Sequence, residues 1–187
     1  MMKLCTAFFA FSVTTAASVT GAFAGSWIKT GAETSRPYGH DAFCKSNPRE
    51  CASQSDAGME KLTGSRWKTL VAVNAAVNKA IRPVSDKAKY GKQEVWKANV
   101  SAGDCEDYAL TKRNRLARAG FKRSNLRLAM VRQRNGEAHT VLVVRTDKGD
   151  YVLDNLRGDV RLWNRSGYRF VKIQDGRNAS AWVKVGG

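Results

Sequence analysis

Trp67, Leu70, Val71, Val77 and Ile81, with Asn74 among them, recur at three- and four-residue spacing, and Pro83 follows the run. That period predicts an amphipathic helix ending before the proline. A second helix is expected to start at Asp104 and stop at Gly120. Aspartate is a good N-cap. Glu106 and Asp107 fall in its first turn and Lys112, Arg113, Arg115 and Arg118 lie toward its end, the order that a helix dipole favours. Downstream the period changes to two. Leu126, Leu128 and Met130 alternate with Arg127 and Ala129. Residues 139–145 and 151–156 read as strands joined by the turn Asp147-Lys148-Gly149-Asp150, and residues 168–173 and 181–185 as two more. Residues 59–63 read as a short strand and 84–99 as irregular. Helices followed by an antiparallel sheet make an α+β domain.

The ends of the chain differ in character. Lys3 precedes an apolar run rich in Ala, Val, Phe and Thr over residues 4–19, closed by Ala22-Phe23-Ala24. This is the charged n-region, apolar h-region and A-x-A site of a signal peptide. The run is too short and too rich in Ser and Thr for a membrane span. We therefore expect residues 1–24 to be removed, leaving a periplasmic or secreted product with no membrane span. Residues 25–56, rich in Gly, Ser, Thr and Pro, read as an extended N-terminal arm, and residues 57–187 as the folded domain.

The chain holds 32 Lys and Arg against 16 Asp and Glu, a net charge of +16, of which the leader holds one base, Lys3. A basic surface attracts acidic partners. Export argues against nucleic acid, and no run of bases interleaved with aromatics supports it. Arg113, Arg115, Arg118, Lys122, Arg123, Arg127, Arg132 and Arg134 read as a solvated face that steers an acidic substrate or lies near an anionic envelope.

The cysteines sharpen the picture. Without the leader and its Cys5, three are left: Cys44, Cys51 and Cys105. Cys44 and Cys51 flank a six-residue loop that could close as a disulfide in an oxidising compartment, leaving Cys105 alone. At the first position of a helix its sulfur faces the positive end of the dipole, which favours a nucleophilic thiolate. A base must accompany it. Of the two histidines, His40 lies in the arm and reads as a surface residue, whereas His139 opens an apolar strand. Asp154 interrupts another apolar strand, and a carboxylate there needs a partner. An imidazole on the neighbouring strand would supply one and be oriented in return. One geometric obstacle stands. A turn centred on Lys148-Gly149 pairs residue 139 with 158 and leaves His139 and Asp154 about 13 Å out of register, so a bulge or shifted pairing is required. Asp104, Glu106 and Asp107 raise a second issue. Beside a thiol, carboxylates raise its pKa. They serve either as caps and dipole complements or as oxygen ligands of Ca²⁺, whose charge would offset theirs. Asn99 is a candidate second oxyanion donor beside the Cys105 backbone N–H.

The block Gly103-Asp104-Cys105-Glu106-Asp107-Tyr108-Ala109-Leu110, followed by His139-Thr140-Val141-Leu142-Val143-Val144 and Leu153-Asp154-Asn155-Leu156, resembles the bacterial transglutaminase-like cysteine proteinases, which include the LapG-type periplasmic proteases. Residues 73–78, the Tyr90-Gly91 to Trp96 stretch and the Cys44–Cys51 segment are similar too, so the likeness spans roughly 40–185. The resemblance implies a papain-like α+β fold with the nucleophile helix packed on an antiparallel sheet. It implies a Cys105–His139–Asp154 triad and Ca²⁺ dependence through Asp104, Glu106 and Asp107. It also implies a protein substrate, an Ala-rich segment of a large surface adhesin whose cleavage releases cells from biofilms, to which the basic charge adds the expectation of an acidic segment. An inner-membrane receptor sensing cyclic-di-GMP is implied as a regulatory partner. The competing readings are a transglutaminase-like acyl transferase, a non-catalytic Ca²⁺-dependent binding module, and a basic envelope-binding protein.

Overall fold

A computed structural model describes residues 26–55 and 58–186. The expected signal peptide lies outside them. In chain order the elements are β1 (Thr30–Thr34), α1 (Tyr38–Ser46), α2 (Gly64–Ala80), β2 (Arg82–Pro83), α3 (Asp86–Tyr90), β3 (Ala102–Gly103), α4 (Cys105–Arg118), β4 (Leu126–Arg132), β5 (Ala138–Thr146), β6 (Gly149–Leu153), β7 (Arg161–Leu162), β8 (Arg169–Gln174) and β9 (Trp182–Val185). Seven strands form one sheet in the order β1-β9-β8-β4-β5-β6-β7, every pairing antiparallel. This is the expected α+β layout. Among the described residues no helix is long and apolar enough to cross a membrane.

The alternation along β4 and β5 divides the core. Leu126, Leu128, Leu142, Val144 and Leu153 pack with Leu110 and Leu116 of α4 and Leu70 of α2. On the other face Ala129, Val131, Val141, Val143 and Val152 pack with Ile28, Phe170 and Ile173. The two long helices follow the predicted spans. Thr63 caps α2, accepting the Arg66 backbone N–H, and Leu70, Asn74 and Val77 form its buried stripe.

The N-terminal segment departs from expectation. Residues 25–56 carry β1, which pairs with β9, and α1, whose Phe43 and Cys44 enter the core. A Cys44–Cys51 disulfide closes the segment. His40 is fully buried, against the surface placement expected, accepting from the Trp182 indole N–H at 3.1 Å and lying 3.1 Å from the Gln174 amide nitrogen. Burial, then the charges of Arg113 and Arg36, push its pKa down to about 3. Residues 59–63 form no strand; Glu60 alone bridges to Thr146. The stretch 84–99 includes α3, capped by the Ser85 hydroxyl. Nor is the basic series uniformly solvated, because Arg113 and Arg127 are buried.

Candidate active site

Three structural pieces converge at the N-terminus of α4. The first is Cys105, at the first helical position after Asp104. Its N–H is one of the first-turn donors that lack an intrahelical partner. The sulfur takes a backbone hydrogen bond from Thr140, the neighbour of His139 on β5. It is the one free cysteine among the described residues.

The second piece is the pair His139 and Asp154, Nε2 to Oδ1 at 2.8 Å and both buried. The register explains the reach. Thr146 pairs with Gly149, so only Asp147 and Lys148 form the turn, and Leu142 lies opposite Leu153. Asp154 then follows on opposite Val141, a diagonal neighbour of His139 on the same face. The 13 Å offset expected from a turn centred one residue later does not arise. The loop after β6 is clamped from α2: the Asn78 amide donates to the Asp154 carbonyl at 2.8 Å, and the Asn74 amide to the Gly158 carbonyl at 3.1 Å. Asp154 also accepts from the Leu156 N–H at 3.0 Å and from the Tyr168 hydroxyl at 2.5 Å. Burial alone would raise its pKa, but the bonds from His139 and Tyr168 hold it below the usual carboxylate value. The imidazole Nε2–H therefore donates to an ionised carboxylate, which leaves Nδ1 as the acceptor. The Tyr168 ring lies 5.6 Å from that of His139.

The third piece is acidic. Oxygens of Asp86, Asp104 and Glu106 lie within 4.8 Å of one another. The Asp86 carboxylate accepts from the Val95 N–H, and Asp104 from the Asp86 N–H at 3.1 Å, yet one oxygen on each stays buried without a hydrogen bond. Glu106 accepts the Cys105 thiol proton at 3.1 Å. Burial and then Asp104 raise Glu106 to about 8, and burial raises Asp86. The same surroundings act on Cys105: burial, then the Glu106 charge, push the thiol well up. The low thiol pKa expected from the helix dipole is thus opposed by burial and by the carboxylates of Glu106 and Asp104. A set of buried hard oxygens with orphaned lone pairs fits a cation such as Ca²⁺.

Asp107, grouped with Asp104 and Glu106 on spacing, is used differently. Its Oδ1 accepts the Lys97 N–H at 2.7 Å and its Oδ2 abuts Gly103, where even a Cβ would come within 2.0 Å. Asp86 takes its place in the cluster. It lies 18 residues before Asp104 and is brought there by the parallel pairing of β2 with β3. Asn99 does not face Cys105. Its N–H donates to Thr111 and its Oδ1 accepts from Arg118, thirteen residues and about 20 Å along α4 from the nucleophile position. Tyr168 carried no local signal in the sequence; its role follows from β8 lying in the same sheet.

Three solved structures of Legionella pneumophila LapG share this fold. The calcium-bound form has a TM-score of 0.55 and 22% identity, covering 68% of this chain and 74% of that chain. The EGTA-treated form gives 0.51 and 24%, covering 60% and 64%. A third LapG structure gives 0.54 and 23%, covering 66% and 69%. No curated protein sequence matches the chain. The family model of the bacterial transglutaminase-like cysteine proteinases matches residues 30–187, and the chain belongs to that family.

Proposed function

We propose that the protein is an exported, Ca²⁺-dependent cysteine peptidase that cuts a cell-surface or periplasmic protein at a restricted site, with Cys105 as nucleophile, His139 as base and Asp154 as orienting acid. The observation that carries this reading is the buried 2.8 Å contact of His139 Nε2 with Asp154, beside the strand residue that hydrogen-bonds the Cys105 sulfur.

In the proposed sequence His139 Nδ1 takes the Cys105 proton as the sulfur attacks the scissile carbonyl carbon. The resulting oxyanion accepts from the Cys105 N–H. His139 returns the proton to the departing amine, the C–N bond breaks and a thioester is left. His139 then deprotonates a water that displaces the sulfur, giving a carboxylic acid and the free thiol. Asp154 holds the imidazole tautomer throughout and stabilises its cationic form. Asp86, Asp104 and Glu106 are the residues suited to Ca²⁺, which when bound supplies positive charge that favours the thiolate. LapG structures exist in calcium-bound and EGTA-treated forms, which supports asking the same of this chain.

The net charge of +16 favours an acidic substrate segment, and the family resemblance favours a large adhesin as its source. An inner-membrane receptor as regulator is part of the same reading. The test is incubation of the purified protein with the N-terminal portion of a giant adhesin from the same genome, in Ca²⁺ and in EGTA. One limited cut is expected in Ca²⁺, with none from Cys105→Ser. Cutting by Cys105→Ser would remove the nucleophile assignment, and equal cutting in EGTA would remove the metal.

A further inference from the structure

The sheet face that carries His139 near one end of β5 carries a different cluster at the other. Arg145 lies six residues on, about 20 Å along the strand. Asp150 of β6 pairs with Arg145, and Arg127 of β4 pairs with Val143. Arg127 and Arg145 join Asn125, Ser124, Asp175 and Arg177 in lining a cavity of about 430 Å³.

Arg127 is the unusual member. It is only 4% exposed, yet its side chain lines the cavity. Its Nε donates to the Gln174 carbonyl at 2.6 Å, and its two terminal nitrogens make no hydrogen bond among the described residues. Two acids, Asp150 and Asp175, act on it electrostatically without a hydrogen bond to it. Asp150 Oδ2 is taken by the Ile28 N–H, and its Oδ1 stands 3.8 Å from Arg145 Nε, beyond hydrogen-bond reach. Asp175 Oδ1 accepts from the Arg177 and Asn178 backbone N–H groups. Burial, then the charge of Arg145, lower the Arg127 pKa to about 10, against the charges of Asp150 and Asp175, which act to raise it. The terminal nitrogens of this fork are open to the cavity rather than sealed away from solvent, and their geometry matches a tetrahedral oxyanion.

We propose that this cavity binds a phosphoryl group, held by Arg127 from below and by Arg145 and Arg177 at the rim. The volume exceeds that of a bare ion, so the group is carried on a small molecule or a lipid headgroup. Ser124 and the second Asp175 oxygen stand ready for hydroxyls of the carrier. The site is separate from Cys105 and does not depend on its chemistry.

Calorimetry on the purified full chain with inorganic phosphate and pyrophosphate tests this, beside sedimentation with phosphatidylglycerol and phosphatidylcholine vesicles. Arg127→Met risks the fold, so Arg145→Gln with Arg177→Gln is the informative variant. The exposed pair Lys68→Gln with Lys79→Gln controls for net charge. Each arginine removed should weaken binding by about tenfold while the lysine control stays unchanged. Soluble phosphate binding lost in the arginine variant supports a free organic phosphate. Binding to phosphatidylglycerol vesicles alone, lost in the same variant, supports the lipid source. No binding to either probe, or losses equal in the lysine control, would overturn the proposal.

Discussion

Asp154 and Glu106 are carboxylates buried in the same site, and their surroundings hold them in opposite states. Asp154 accepts hydrogen bonds from His139, Tyr168 and the Leu156 backbone, and its pKa is lowered. Glu106 faces Asp86 and Asp104, its side-chain partner is a thiol, and its pKa is raised to about 8. Burial disfavours charge in both cases. What separates them is the number of donors aimed at each. The His139 side is satisfied by hydrogen bonds from the protein, whereas the Cys105 side gathers three carboxylates and leaves oxygens of Asp86 and Asp104 without a hydrogen bond among the described residues.

The contrast breaks most completely on the Asp154 side. Asp154→Asn removes the charge that orients His139, and peptide cleavage should fall by about 10²–10⁴-fold in kcat/KM with the fold retained by circular dichroism. Wild-type rates would show that Asp154 is only structural. On the other side, Ca²⁺ at a hundred times its dissociation constant should stabilise the protein by about 2.7 kcal/mol, read as a rise in Tm that Asp86→Asn diminishes. An unchanged Tm would remove the cluster as a metal site.

The sign of the pH dependence sharpens the comparison. Glu106 at about 8 and Asp107 at about 7 lie above their unfolded values of 4.5 and 3.8. The native state therefore holds extra protons at these two groups, and their contribution to stability without Ca²⁺ is full below about pH 4 and lost as pH rises toward 8, whereas His40, lowered from 6.5 to about 3, contributes stability that is lost as pH falls below 6.5. Asp154 contributes oppositely, in stability lost only as pH falls below 3.8. In thermal melts in EGTA, Glu106→Gln should lose less stability than the wild type as pH rises from 4.5 to about 8, and equal losses would remove Glu106 as the proton holder. The smallest effect is expected of Tyr168→Phe. Loss of one hydrogen bond worth about 0.5–1.5 kcal/mol predicts a two- to tenfold fall in kcat with KM unchanged and the acid limb of the pH profile shifted. A change confined to KM would place Tyr168 in substrate binding instead.

Much of this was legible from spacing. The helical stripe ending at Ile81, the helix start after Asp104 and the alternation from Leu126 onward are local signals, and the elements formed where they stand, although the Asp104 carboxylate accepts from the Asp86 N–H and caps nothing in α4. What escaped was non-local. Pairing with β9 makes a strand of residues 30–34, and enclosure by Trp182 and Gln174 buries His40, neither of which a Gly- and Pro-rich stretch announces. Asp86 reaches Asp104 through the β2–β3 pairing, and Tyr168 reaches Asp154 across the sheet. A chain read residue by residue carries no mark of such meetings.

The two-residue connection between β5 and β6 has a last consequence. Side chains alternate faces along a strand, so one amino acid added or removed at Asp147-Lys148 would slide the hairpin by a step and turn Asp154 away from the imidazole. Surface loops ordinarily tolerate length variation. Here a deletion some twenty ångströms from the reacting atoms would silence the molecule as surely as losing the carboxylate itself.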